Sequence, residues 1–305
     1  MARRRATAPG FRLTAHRWVN GPGDGAPAGI SVDRYGDAVV LNVRAEVPST
    51  VREAYAAAVA AVLEPPTLVE KVWAPRRADS TSRVLVGDAD APVDVFEDDA
   101  TFRCLLDDDI QTGLFLDHRD TRRSVRAFCG GAEVLNAFAY TCAFSVHAAL
   151  AGASRVTSVD VSRRALARGR ENMTLSGLSP DDHRWFDDDV LEHLARGGAD
   201  YDVIVLDPPL YGRTKKKRFA LLKDLDRLAE GAIRRLRPGG RLVFSTHALD
   251  LDSGRLRRAV ERAGAGRRVR VLETLGLPAW DHPVAPRDVD GDRGDYLHTL
   301  VLGVD

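Results

Sequence analysis

Residues 134–145 read Val134-Leu135-Asn136-Ala137-Phe138-Ala139-Tyr140-Thr141-Cys142-Ala143-Phe144-Ser145, an apolar strand that turns at once into a helix. Downstream, Val156-Thr157-Ser158-Val159-Asp160 puts an acid at the end of a second strand, and Ser162 follows as a helix N-cap. A nucleotide-like ligand needs this spacing. The first strand end gives a close backbone approach, and the second gives a carboxylate for a ribose diol.

The pattern continues around that unit. Strands are expected at 132–137, 155–160, 202–207, 241–246, 269–275 and 297–303, and helices near 143–151, 162–175, 189–196, 216–236 and 253–264. Strands alternating with helices imply a mostly parallel sheet with right-handed crossovers. The last two strands have no clear helix between them, so an antiparallel pair is expected at one edge. Upstream, a hairpin at residues 30–43, an Ala-rich helix at 51–63 stopped by Pro65-Pro66, and short strands at 68–73, 83–86, 93–96 and 101–106 suggest a small α+β domain. The fold class is α/β, a doubly wound, seven-stranded Rossmann-like domain behind a small N-terminal α+β domain. The expected divisions are a basic, Gly/Pro-rich lead-in at 1–28, whose first ten residues read as a disordered tail, the small domain at 29–110, and the large domain at 111–305. The stretch from Asp107 to Arg119 reads by itself as a linker running into an amphipathic helix that ends near Phe128.

Composition removes several classes. Lys+Arg and Asp+Glu both total 44, so a nucleic-acid partner must be held by a local patch rather than by a basic excess. No apolar run reaches membrane-spanning length, and the basic start has no apolar stretch behind it, so no membrane or secretion is expected. Cys104, Cys129 and Cys142 show neither metal-ligand nor disulfide spacing, which suits a reducing cytoplasm with no bound metal.

Between Asn136 and Phe144 there is no glycine, which argues against a pyrophosphate cradle. A ligand without phosphates, such as S-adenosylmethionine, fits better. Phe138 and Tyr140 either pack on that ligand or fill the core. Asp188 and Asp189, after a third candidate strand, either accept from an adenine amino group or cap a helix. The most specific local signal is Val203-Ile204-Val205-Leu206-Asp207-Pro208-Pro209-Leu210-Tyr211. Two prolines fix the backbone and remove two amide donors, leaving carbonyls as rigid acceptors for an amine or ring nitrogen. Tyr211 is placed to stack on a flipped or single-stranded base. Arg213-Thr214-Lys215-Lys216-Lys217-Arg218 follows at once and is the best candidate for a phosphate contact.

These segments, with Gly23-Asp24-Gly25, Val32-Asp33-Arg34-Tyr35-Gly36-Asp37, Gln111-Thr112-Gly113-Leu114-Phe115-Leu116-Asp117-His118-Arg119 and Asp281-His282-Pro283-Val284, run in order from about residue 20 to the C-terminus. Together they resemble the class I large-subunit ribosomal RNA methyltransferase family that contains cytosine carbon-5 and guanine nitrogen-7 enzymes. The resemblance implies S-adenosylmethionine as methyl donor and ribosomal RNA as partner. It implies Thr112, Phe115, Arg119, Asn136, Thr141, Asp160, Asp189 and Asp207 as cofactor-side residues, with the Gln111–Arg119 stretch walling the pocket.

Three departures matter. Such proteins often begin with a PUA-type RNA-binding domain, and none is expected from the residues that precede the small domain here. Cys142 stands where many relatives have glycine, so it narrows the turn or points away. Relatives acting on cytosine carbon 5 carry a cysteine just after the strand that here ends Phe244-Ser245-Thr246-His247, because carbon 5 is activated by covalent attack at carbon 6. Thr246 and His247 occupy that place, so a nitrogen acceptor is expected. Asp207, Pro208, Pro209, Tyr211 and His247 are the expected acceptor-side residues, His247 acting as a general base or as a polar wall. The rival readings are a small-molecule methyltransferase and a non-enzymatic RNA-binding relative, and a homodimer is one assembly open to either.

Overall fold

The computed structural model describes residues 12–107, 110–197, 200–213, 218–264, 266–285 and 295–305. The chain divides into two compact units, residues 1–119 with 278–294, and residues 120–277 with 295–305.

The first unit is a five-stranded sheet in the order β1 (Ala15–Asn20), β2 (Ile30–Tyr35), β3 (Ala38–Arg44), β4 (Leu68–Trp73), β5 (Thr81–Val86). Helix α1 (Ser49–Leu63) makes the crossover that lets β3 and β4 run parallel. It ends at Glu64, in the left-handed region with φ 42°, just before the Pro65-Pro66 stop. Val32, Leu41, Val43, Val59 and Leu68 fill the core, each contributing about 1.5–3 kcal/mol of apolar burial. A separate ladder joins β6 (Val93–Glu97) to β7 (Ala100–Cys104).

Two features differ from the sequence expectation. Residues 15–20 belong to a strand rather than to a lead-in, because β1 pairs antiparallel with β2. Residues 278–285, far along the chain, pack into this unit. A short 3₁₀ turn at Gly21–Asp24 receives them, and a Cβ at Gly23 would lie 1.8 Å from the Pro283 carbonyl oxygen. Asn20 Nδ2 donates to that same oxygen at 3.0 Å. Only glycine admits so close a backbone approach.

The second unit starts at the second residue of α2 (Arg119–Arg126), which leads to β8 (Glu133–Ala137), α3 (Ala143–Leu150), β9 (Arg155–Asp160), α4 (Arg163–Leu175), β10 (Arg184–Asp187), α5 (Val190–Ala195) and β11 (Tyr201–Leu206). A two-stranded hairpin follows, β12 (Tyr211–Arg213) with β13 (Arg218–Ala220), then α6 (Leu221–Arg235), β14 (Leu236–Thr246), α7 (Ser253–Ala263), β15 (Val269–Leu275) and β16 (His298–Val304). The seven-stranded order is β10-β9-β8-β11-β14-β16-β15. Every pair is parallel except those of β16, which runs against both neighbours. The expected antiparallel pair therefore exists, but β16 lies inside the sheet and β15 forms the edge. The helix expected from 216 begins at Leu221, because residues 218–220 pair with β12. Among the described residues, no helix is long and apolar enough to cross a membrane.

Candidate active site

The strand order reverses at β8, where β9 and β11 lie on either side of it. Ligands of open α/β sheets sit outside the carboxyl ends of strands at such a point. The loop leaving β8 takes an unusual path for its sequence. Phe138, Tyr140 and Cys142 have φ of 59°, 48° and 64°, all in the left-handed region. Each costs on the order of 1–2 kcal/mol for a non-glycine residue. The absence of glycine thus does not mean an ordinary backbone. The chain adopts the tight turn anyway, and strain of this kind persists where surrounding structure holds it for a purpose.

Asp160 is what holds it. One carboxylate oxygen accepts from the Tyr140 amide at 2.9 Å and the other from the Ser162 amide at 2.8 Å. The acid ending β9 therefore fastens the loop leaving β8. Burial pushes its carboxyl above the ordinary value, against the pull of the two amides. Beneath the loop, Asn136 Nδ2 donates to Ser145 Oγ at 2.8 Å, and Ser145 Oγ meets Ser158 Oγ at 2.8 Å. Asn136 and Thr141 are each 1% exposed, and the Thr141 carbonyl accepts from Asn172 Nδ2 at 3.0 Å. The Asn136 side chain and the Thr141 carbonyl thus brace the loop from inside. Phe138 packs against Phe219, ring centroids 5.4 Å apart, and against the apolar core.

The Cys142 side chain is fully buried. It sits at the N-cap of α3, with Ala139, Leu166 and Trp185 around it, and its sulfur fills the space left by Gly169 of α4. A Cβ at residue 169 would lie 2.4 Å from Cys142 Sγ. Gly169→Ala should lower stability by about 1–3 kcal/mol, although alanine is otherwise the better helix former. The double variant with Cys142→Gly should recover most of the loss. Urea denaturation of the two singles and the double measures this coupling.

At the end of β10, Asp189 caps α5 by accepting from the Glu192 amide at 3.2 Å. Asp188 accepts from the Asp189 amide at 2.9 Å and pairs with Arg196 at 2.5 Å. The capping alternative thus holds for Asp189. After β11 comes Asp207-Pro208-Pro209. The Pro208 and Pro209 carbonyls accept no hydrogen bond from any described residue. His247, one residue beyond β14, brings Nδ1 to 3.8 Å from Asp207 Oδ1. Tyr211 opposes Ala220 in the hairpin and is 79% exposed. Of the basic run at residues 213–218, residues 214–217 lie outside the described residues. Sequence reasoning missed Tyr296, whose ring lies on His247 with centroids 6.0 Å apart. Its signal was its place two residues before the last strand.

Thr112, Phe115 and Arg119 belong to the first unit. Thr112 Oγ1 donates to the buried Tyr35 hydroxyl at 2.9 Å, and Phe115 is 37% exposed. The Arg119 guanidinium donates two hydrogen bonds to Asp281, at 2.8 and 2.9 Å, both side chains being buried. Asp281 also accepts from the Arg17 amide at 3.3 Å, and His282 Nδ1 lies 3.0 Å from it.

Comparison with known proteins follows the same lines. A profile described as S-adenosylmethionine-dependent methyltransferase matches residues 49–248. A ribosomal RNA large subunit methyltransferase of Deinococcus radiodurans is 36% identical over 307 residues, covering 95% of this chain and 72% of its own. A ribosomal RNA large subunit methyltransferase K/L of Chromohalobacter salexigens is 39% identical over 202 residues, 65% of this chain but only 25% of that longer protein. A solved methyltransferase complexed with SAH superposes with a TM-score of 0.84 at 28% identity, covering 96% of this chain and 76% of the other.

Proposed function

The chain belongs to the S-adenosylmethionine-dependent methyltransferase family, and from that premise we propose that it methylates a base of ribosomal RNA, at a nitrogen rather than at cytosine carbon 5. The relatives named for large-subunit ribosomal RNA support the substrate class. The observation that carries the choice of atom is the turn after β11. Two carbonyls without a donor among the described residues, fixed by prolines beside an acid, suit an amine or ring nitrogen better than a carbon.

The second unit fits the cofactor. The left-handed loop at 138–142 turns the backbone at the strand end, and Asp160 offers a partly desolvated carboxylate for a ribose diol. Asp188 stands at the next strand end for the adenine amino group. When bound, the cofactor supplies an electrophilic sulfonium methyl group. Asp207, Pro208 and Pro209 orient the acceptor nitrogen for in-line approach, which needs positioning and exclusion of water more than a strong base. His247, held near Asp207, is placed to take a proton from an exocyclic amine. The hairpin displays Tyr211 to solvent, where it can stack on an unpaired base, and residues 213–218 supply charge for phosphates.

The three cysteines support the nitrogen assignment. Cys104, Cys129 and Cys142 are fully buried, and burial pushes the thiols of Cys129 and Cys142 up to about 12. A thiol so protonated is a poor nucleophile near neutrality. Native protein should therefore resist a maleimide at pH 7.5, and all three thiols should label after denaturation. Rapid labelling of one thiol in the native protein would reopen covalent catalysis. The function itself is tested by transfer of radiolabel from methyl-labelled S-adenosylmethionine to ribosomal RNA of a strain lacking the gene. Incorporation into RNA supports the proposal, and label found only in small molecules overturns it.

A further inference from the structure

The inverted strand of the second sheet has a consequence at its carboxyl edge. Because β16 runs against β14, its first residues lie where β14 ends, and His298 pairs with Thr246. The segment Asp295-Tyr296-Leu297 is thereby delivered to the edge that carries His247 and the Asp207-Pro208-Pro209 turn, since β11, β14 and β16 are consecutive in the sheet. Three side chains from distant parts of the sequence converge there. The rings of Tyr296 and His247 are 25° from parallel, and His247 faces Asp207. A side chain that only fills a core is enclosed, as the neighbouring Leu297 is at 0% exposure. Tyr296 is half-buried, and the His247 side chain is 30% exposed.

We infer that the Tyr296–His247 ring pair is the stacking platform for the acceptor, and that Tyr296 is a substrate-contacting residue that restricts the acceptor to a planar aromatic base. The inference rests on the reading of the turn after β11 as the acceptor site. A base whose nitrogen is held at the Pro208 and Pro209 carbonyls must also have its plane fixed, or the nitrogen lone pair does not point along the line of transfer. Hydrogen bonds to carbonyls do not fix a plane, whereas a stacked ring does. Stacking accepts any base, because every base has a π-face. Tyr296 therefore sets aromaticity, and the carbonyls set which edge is presented. Tyr211, which lies on the hairpin and is 79% exposed, is not part of this pair.

The test compares Tyr296→Phe, Tyr296→Trp and Tyr296→Leu in the full chain, with unmethylated ribosomal RNA as acceptor. Phe and Trp should keep kcat/KM within about threefold, because they keep the π-face. Leu should lose about tenfold to a hundredfold. Calorimetry should find the S-adenosylmethionine affinity of all three unchanged, which a structural or cofactor-side role would not allow. Leu at wild-type efficiency, or a parallel loss of cofactor affinity, would overturn the platform while leaving RNA methylation standing. Wild-type protein that methylates a small molecule and no RNA would overturn the RNA reading. The platform then stands only if that acceptor is aromatic and shows the same Phe, Trp and Leu pattern, and it falls otherwise.

Discussion

Asp281→Ala is expected to destabilise the first unit by about 3–5 kcal/mol, because it leaves the buried Arg119 guanidinium without its counter-charge. Asp281 is 0% exposed and takes both Arg119 bonds, the Arg17 amide and His282, so one deletion strands several donors. It also frees residues 278–285 from the strand and turn that hold them. The pH dependence has a definite sign. Burial raises the Asp281 carboxyl, but His282 and Arg119 outweigh it and hold the carboxyl well below its usual 3.8. A depressed pKa gives stability that is complete above the unfolded value and is lost as pH falls below it. Wild-type stability should thus decline below about pH 4, and Asp281→Ala should lack that part of the decline. Urea denaturation from pH 3 to 7 measures both effects. A variant within 1 kcal/mol of wild type would mean that the ion pair is not what secures the segment.

Asp160→Ala is expected to weaken S-adenosylmethionine binding by about tenfold to a hundredfold, the scale of losing a charged hydrogen-bond acceptor. Two losses add here, since the same carboxylate holds the Tyr140 amide and so the left-handed loop. Because burial raises the Asp160 carboxyl above 3.8, wild-type affinity should begin to fall at a higher pH than an exposed aspartate would give. The ionised form is the one that accepts from hydroxyls, so affinity falls as pH is lowered. Calorimetry against pH follows this directly. Affinity untouched by the substitution would remove Asp160 from the cofactor site.

Much of the second unit is legible in the sequence, because its strands are short apolar runs and its crossovers are helical. Asp160 and Asp207 announce themselves by ending such runs. The failures share one physical cause, which is that their determinants lie far apart in the chain. Residues 15–20 look like a polar lead-in until β2 is seen to pair with them. Nothing local says that Asp281 will meet Arg119, at a separation of 162 residues. Tyr296 becomes visible only when β16 is known to be inverted. Cys142 was puzzling at a left-handed position, and the space for its sulfur comes from Gly169 on the next helix. The hairpin that carries Tyr211 was likewise not legible, because residues 218–220 look like the start of a helix until they pair with residues 211–213.

The most direct measurement is nucleoside mass spectrometry of large-subunit RNA from a strain lacking the gene, before and after incubation with the protein and isotopically labelled S-adenosylmethionine. Methyl transfer at the Asp207-Pro208-Pro209 turn should give a labelled guanine or adenine methylated at nitrogen, absent with Asp207→Ala. Labelled 5-methylcytosine, or no labelled nucleoside, would contradict it.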